Sequence, residues 1–418
     1  WPTPDGCRHQ IGDIATVVGN YIKFKNCNIF GVDKYLSGDG INVMESNNVI
    51  IENCEIRTLG GSAVEALYVN NITIRGNNLH DLSEGSPIRV GIMGAGENYG
   101  LLIENNNIYD HYINDTDIYY PYKIIDGPDA DGGNRALCPN DSGYHAGTGI
   151  SVRTSNVNIR NNTLRNLLTQ GIMFYLEGKP YNNMLVENNL VYDMGQPYKK
   201  SDGTWSFSGG RVNFNSVGTN VTIRYNTFIG YTTRTTYPNL YYINLRYNAP
   251  ISLSYAEGYN GTGVSFVNNI VVGQWYGLPE YGNITEDYNL FFSKDQGGYF
   301  PTNNGSHTAY AVWYDGNLYH GWPNLFEDIG FNNSITILGI LQNGVTAEYN
   351  YSRDGIKPFF VNPNMYTNPD ILSNLSWGKG KIWDYHPLIS SIVCDGSING
   401  QSGIAAAGAL DCVSVMNS

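Results

Sequence analysis

Charge is scarce in this chain. Only 15% of its 418 residues are Asp, Glu, Lys or Arg, and 11 are lysine. The formal net charge is −13 and no basic patch or stripe occurs, which argues against nucleic acid as a partner. No 18-residue apolar run exists, so no segment reads as a membrane-spanning helix. Long runs at helical period are missing as well. Cysteines are few but even in number (Cys7, Cys27, Cys54, Cys138, Cys394 and Cys412), which suits an oxidising compartment. Trp1 heads the sequence instead of Met and no signal-peptide pattern is visible, the mark of a processed chain or a fragment.

What is abundant is turn and strand material: 49 Gly, 53 Asn and 33 Tyr. These residues are ordered. The stretch Ile103-Glu104-Asn105-Asn106-Asn107-Ile108 sets a six-residue frame, apolar at its first and last positions, with Asn at its fourth. The frame returns at 24–29, 51–56, 74–79, 159–164, 186–191, 223–228 and 266–271, and more weakly at 286–291. Its fourth position reads Cys27, Cys54, Asn77, Asn106, Asn162, Asn189, Asn226, Asn269 and Asn289. A strand signal opened by glycine precedes many copies, as in Gly40–Val43, Gly149–Val152 and Gly171–Phe174. A turn such as Ser46-Asn47-Asn48 follows, then a short alternating strand such as Val157-Asn158-Ile159-Arg160. Two or three short strands per 20–29 residues predict an all-β solenoid, a single-stranded parallel β-helix with long loop insertions and capped ends.

The second frame position gives the register. It reads Lys25, Glu52, Arg75, Glu104, Arg160, Glu187, Arg224, alternating in sign throughout. Stacked strands lie about 4.8 Å apart, so opposite charges there support each other. The alternation holds only if Glu104 and Arg160 are neighbours, which makes residues 110–146 an insertion. Stacked asparagines have a separate rationale: each amide carries a donor and an acceptor, and a column of them hydrogen-bonds to itself at a buried corner. Cys27 and Cys54 begin that column at a spacing just inside disulfide range but with parallel side chains, so a bond and free thiols both stand open.

These repeats, over residues 20–292, resemble the right-handed parallel β-helix or pectin-lyase-like superfamily. A second resemblance lies at 358–363, Asp384–Leu388, Asp395-Gly396-Ser397 and Gly408–Asp411, which is similar to the closing run of many secreted bacterial and archaeal β-helix proteins. It implies an organisation of an N-terminal cap at 1–19, coils at 20–292, further coils with long loops at 293–394, and a C-terminal cap at 395–418. Caps are required because an open stack ends in a sheet edge. Cys394 and Cys412, close in sequence, are the expected disulfide partners.

Enzymes of the superfamily cut or epimerise polysaccharides, yet their motifs do not carry over. No closely spaced aspartates accompany a His-Gly and an Arg-x-Lys, and no lysine sits beside an acidic cluster on a repeated strand. The best candidate site is the insertion, where Asp126, Asp129, Asp131 and Asn134 lie on a glycine-rich loop. Calcium is the cation such oxygen ligands take, while a solvated acidic turn explains the same residues, and no cofactor is required. His145, Arg153 and Arg89 are the acid–base candidates if the chain is an enzyme, with Tyr144 and Arg211 near them. Tyr119, Tyr120, Tyr122, Trp205, Tyr237, Tyr241, Tyr242, Trp275 and Tyr276 are aromatics suited to sugar stacking, to loop packing or to subunit contacts.

Eleven Asn-X-Ser/Thr sequons occur, at Asn71, Asn114, Asn140, Asn161, Asn220, Asn260, Asn283, Asn304, Asn332, Asn350 and Asn374, against the roughly six or seven that chance gives for 53 asparagines, a modest excess that suits an exported, cell-surface glycoprotein. The leading expectation is a structural or adhesive subunit of an extracellular filament, sheath or appendage that self-associates into a homopolymer or oligomer. A polysaccharide lyase or glycoside hydrolase working in a groove of the solenoid is the alternative, and a non-catalytic glycan-binding module the third.

Overall fold

The structure is a computed structural model. It describes residues 13–31, 38–82, 85–91, 100–111, 148–167, 169–174, 180–194, 212–230 and 262–272, together with separate strands at 197–199 and 205–207 and a set from 251–255 to 384–387. A coil contributes three short strands, one to each of three faces, and every face is a parallel stack. The first described coil is Ala15–Asn20, Lys23–Lys25 and Asn28–Phe30. In the second, Ile41–Glu52 runs through two faces without a break and Glu55–Leu59 forms the third. Stacking continues on all three faces to Trp275–Gly277, Ile284–Asp287 and Leu290–Ser293. Ala311–Tyr314 extends the first face and Ile335–Leu338 the third. Phe360–Asn362 and Asp384–Pro387 pair antiparallel with each other.

The side chains follow the alternation. Val157 and Ile159 are buried while Asn158 is exposed and Arg160 half-buried. Inward columns are apolar from coil to coil: Ile41, Val64, Ile88, Ile150, Ile172 and Val212 on the first face, Ile51, Ile74, Ile103, Ile159, Val186, Ile223 and Phe266 on the second, all without exposure. A third column runs Ile56, Leu79, Ile108, Leu164, Val191, Phe228. Burying one such side chain stabilises by about 1.5–3 kcal/mol, so the core alone holds the coils in line.

The corners are made by residues in the left-handed backbone region. One corner column is Asn26, Asn53, Gly76, Asn105, Asn161, Asn188, Tyr225 and Asn268, with φ between 54° and 63°. Asn pays little for this conformation, which is why it crowds the frame's third position. The turn expected at Ser46–Asn48 takes a different form. Glu45 and Asn48 bend the backbone with φ of 45° and 56° while the strand Ile41–Glu52 keeps pairing across the bend. The glycines that open first-face strands answer to packing. A Cβ on Gly40 would lie 2.8 Å from Ile56 and 2.9 Å from Leu59, and one on Gly171 would lie 2.3 Å from Val191.

Candidate functional site

Four groups of polar side chains stand out on this frame. The first is the ladder. Asn77, Asn106, Asn162, Asn189, Asn226 and Asn269 are buried, and from Asn77 to Asn226 each Nδ2 donates to the next Oδ1 at 3.0 Å. The same Oδ1 atoms accept the backbone N–H of the preceding rung, and each Nδ2 also donates to a carbonyl one coil back, as Asn106 does to Ile74 at 2.9 Å. Cys54 stands in for a rung, its Sγ accepting the Cys27 N–H at 3.3 Å, and both thiols are free. Burial, with the Cys27 thiol beside it, pushes the Cys54 thiol up to about 11.

The second group is the charge column on the second face. Glu104 pairs in register with both Arg75 and Arg160, so the strands before and after residues 112–147 are direct neighbours. Arg160 reaches Glu104 at 2.8 Å and Arg224 reaches Glu187 at 2.8 Å. Glu52 is held by Lys23 at 2.8 Å, Lys25 at 3.3 Å and Arg75 at 2.6 Å. The Lys23 and Arg75 hydrogen bonds lower the Glu52 carboxyl to about 2. The glutamates lie lower in the face than the arginines that bond over them.

The third group is a carboxylate pair on the first face. Asp39 sits in a corner column with Ser62, Ser86, Thr148 and Gln170, all buried. Its carboxylate accepts the Ser62 N–H, and its own N–H donates to Asp13 Oδ1 at 3.1 Å. Gly61 has no Cβ because one would lie 2.3 Å from Asp39 Oδ1. Burial, then the hydrogen bond to Glu65 and the Glu65 charge, push Asp39 up to about 8, so it holds a proton and donates it to Glu65. Glu65 in turn receives Arg89 at 2.8 Å.

The fourth group lies on the third face, where Phe30, Arg57, His80, Tyr109, Arg165 and Tyr192 stand in register. Arg57 lies 5.0 Å over the Phe30 ring, His80 stacks on Tyr109 at 4.7 Å, and Arg165 covers the other side of Tyr109 at 4.2 Å. His80 faces Asp81 through Nδ1 at 2.9 Å and Glu55 through Nε2 at 3.2 Å. Burial would lower the His80 pKa, but those two carboxylates outweigh it and hold it above the ordinary value. The column stands one residue beyond the six-residue frame, and extending the frame to a seventh position would have exposed it. Asp39 and Glu65 left no such periodic signal.

Of the candidates named from sequence, Arg89 is tied to Glu65. Arg153 lies on the same face opposite Gly91, whereas Arg89 stands opposite Ser151. The two arginines are therefore offset by two residues along adjacent strands. His145, Tyr144, Arg211, Asp126, Asp129, Asp131, Asn134, Cys394 and Cys412 lie outside the described residues. So do all sequons but Asn71, Asn161 and Asn220, which are exposed at corners. Among the described residues, no three His, Cys, Asp or Glu side chains converge to hold a metal ion, and no helix is long and apolar enough to cross a membrane.

Three parallel faces, a buried asparagine column and inward apolar columns together define a parallel β-helix. The chain belongs to the right-handed β-helix family, whose model, described as "Right handed beta helix region", matches residues 14–228. Among solved structures it is similar to pectate lyase Bsp165PelA from Bacillus sp. N165, determined in complex with trigalacturonate. The identity is 15% over 70% of this chain and 72% of that one, with a TM-score of 0.25. No curated protein matches the chain.

Proposed function

We propose that the protein is an extracellular structural β-helix, a subunit of a surface filament, sheath or appendage. One observation carries this reading. Of the five exposed large apolar side chains among the described residues, Ile14, Val18, Tyr21 and Phe30 fall in the first described coil, at 47%, 67%, 83% and 56% exposure, and Tyr68 lies two coils further on. Apolar side chains gathered on one coil suit a contact with another copy, and a head-to-tail contact that does not close propagates as a fibre. The faces further along support the same reading, because their charges are spent on one another: Glu52, Glu104, Glu187 and Glu65 are each bonded to a cation of a neighbouring coil. Negative-stain microscopy of native material tests it. Fibres or end-to-end rods are expected, and monodisperse monomers under all conditions would overturn it.

A second reading, action on a polysaccharide, is favoured by the protonated Asp39 beside Glu65 and Arg89. Against it stands the geometry of the pair. Hydrogen-bonded carboxyls lie closer than the ~5–5.5 Å of retaining or the ~6.5–9.5 Å of inverting glycosidases. Incubation with uronate polymers, with and without calcium, decides the matter by ultraviolet absorbance and chain length. No unsaturated product and no shortened chains would remove the enzymatic reading, and binding without turnover would select a glycan-binding module.

A further inference from the structure

One outer corner of the helix carries Tyr21, Asn48, Asn71, Gly100, Asn156, Asn183, Asn220 and Gly263, one residue per coil, each in the left-handed region with φ between 53° and 74°. The amides on this corner bond along the axis. Asn71 donates to Asn48 Oδ1 at 3.3 Å, Asn183 to Asn156 Oδ1 at 2.9 Å, and Asn220 to Asn183 Oδ1 at 2.9 Å. Two of these asparagines, Asn71 and Asn220, begin Asn-X-Thr sequons with Thr73 and Thr222, and both are exposed. Each is also the last amide before a glycine. The residue one coil beyond Asn71 is Gly100, where a Cβ would stand 2.7 Å from Asn71 Oδ1, and the residue beyond Asn220 is Gly263, where a Cβ would make ordinary contact with the Asn220 backbone at 3.7 Å. The corner thus loses its side chain just beyond each sequon amide.

From this arrangement we infer that Asn71 and Asn220 carry N-linked glycans, and that Gly100 and Gly263 leave the room the first sugar needs. The inference rests on the extracellular part of the function proposed above. In the transfer, Asn Nδ2 forms a bond to the anomeric carbon of a glycosyl diphosphate donor. The carbon–oxygen bond to the diphosphate breaks, the diphosphate leaves with the electron pair, and Nδ2 gives up one proton to a base of the transferase. The product is a secondary amide, which takes the trans form, so the N–H it keeps points away from its own Oδ1. Amides stacked by simple translation along a strand-spaced column bond through that same N–H. The ladder bonds to Asn48 and Asn183 therefore survive modification, while the N–H that is replaced faces outward. Thr73 and Thr222 alternate outward from the buried Ile72 and Val221, on the same side as the solvent. A buried rung such as Asn162 differs, because its Nδ2 is already shared between Ile103 O, Arg160 O and Asn189 Oδ1.

Glycopeptide mass spectrometry of the full native chain tests the inference. Peptides spanning Asn71 and Asn220 are expected to carry sugar on more than half of the molecules, and enzymatic removal of the sugar is expected to leave the far-ultraviolet circular dichroism unchanged. Both positions unmodified in native protein would overturn it. The same chain secreted from a cell that performs N-glycosylation, with Asn71→Gln and Asn220→Gln variants as blanks, tells which premise failed. Sugar gained only there would refute glycosylation in the native cell and leave the corner geometry standing, whereas a folded, secreted and bare chain would refute the corner geometry.

Discussion

Asn106 and Asn162, separated by 56 residues of sequence, are consecutive rungs: the Asn106 side-chain amide donates to Asn162 Oδ1 at 3.0 Å, and the Asn106 backbone N–H donates to the same oxygen at 2.9 Å. The strands that carry them pair directly, which makes this the junction at which residues 112–147 depart and the stack resumes.

Asn162→Ala removes that acceptor and strands a buried N–H and a buried amide. Leaving such groups unpaired costs about 1–3 kcal/mol each, so the free energy of unfolding should fall by about 2–6 kcal/mol. Chemical denaturation checks this, with Asn158→Ala on the exposed side of the same coil expected to change little.

Glu52, lowered to about 2 when folded, stabilises the protein above its unfolded pKa of about 4.5. That contribution is lost as pH falls from there through the folded value. Thermal melts between pH 5 and pH 2 should show the loss, and Glu52→Gln should flatten the curve over this window. Melts of the variant that remain as steep as those of the wild type would contradict the role of Lys23, Lys25 and Arg75.

Asp39 behaves in the opposite sense. Its folded pKa is raised to about 8 from an ordinary value near 3.8, so folding takes up about one proton between those limits. Its favourable contribution is complete below pH 3.8 and declines as pH rises to 8. Asp39→Asn keeps a donor for Glu65 and should erase this decline, so that wild type and variant diverge most at pH 9. Denaturation midpoints at pH 5, 7 and 9 read the difference.

His80 is held above its ordinary pKa by Asp81 and Glu55. The stability it supplies is present below about 6.5 and is lost as pH rises through the raised folded value. Nuclear magnetic resonance titration of the imidazole, assigned by its disappearance in His80→Gln, should give a midpoint above 6.5. Removing both carboxylates, as Glu55→Gln with Asp81→Asn, should bring it down.

Local periodicity made the fold legible. The frame's apolar ends, its left-handed third position and its stacking fourth position each repeat with the coil, and neighbouring coils must agree at every rung or lose hydrogen bonds. Sign alternation carried the register across 56 residues for the same reason, since like charges at strand spacing repel. The Phe30-to-Tyr192 column was equally periodic and lay one position outside the frame.

The sequence alone therefore determined the solenoid, its register and its buried amide column, because these are properties of one repeating unit copied along an axis. Only the tertiary structure decided which side chains meet between coils without repeating. The Asp39–Glu65–Arg89 chain joins residues of three successive coils at one place, and nothing in the spacing of single letters marks it. The pairing of Asn71 with Gly100 and of Asn220 with Gly263 is of the same kind. Each coil looks ordinary by itself, and the room beside a sequon amide exists only once two coils are stacked.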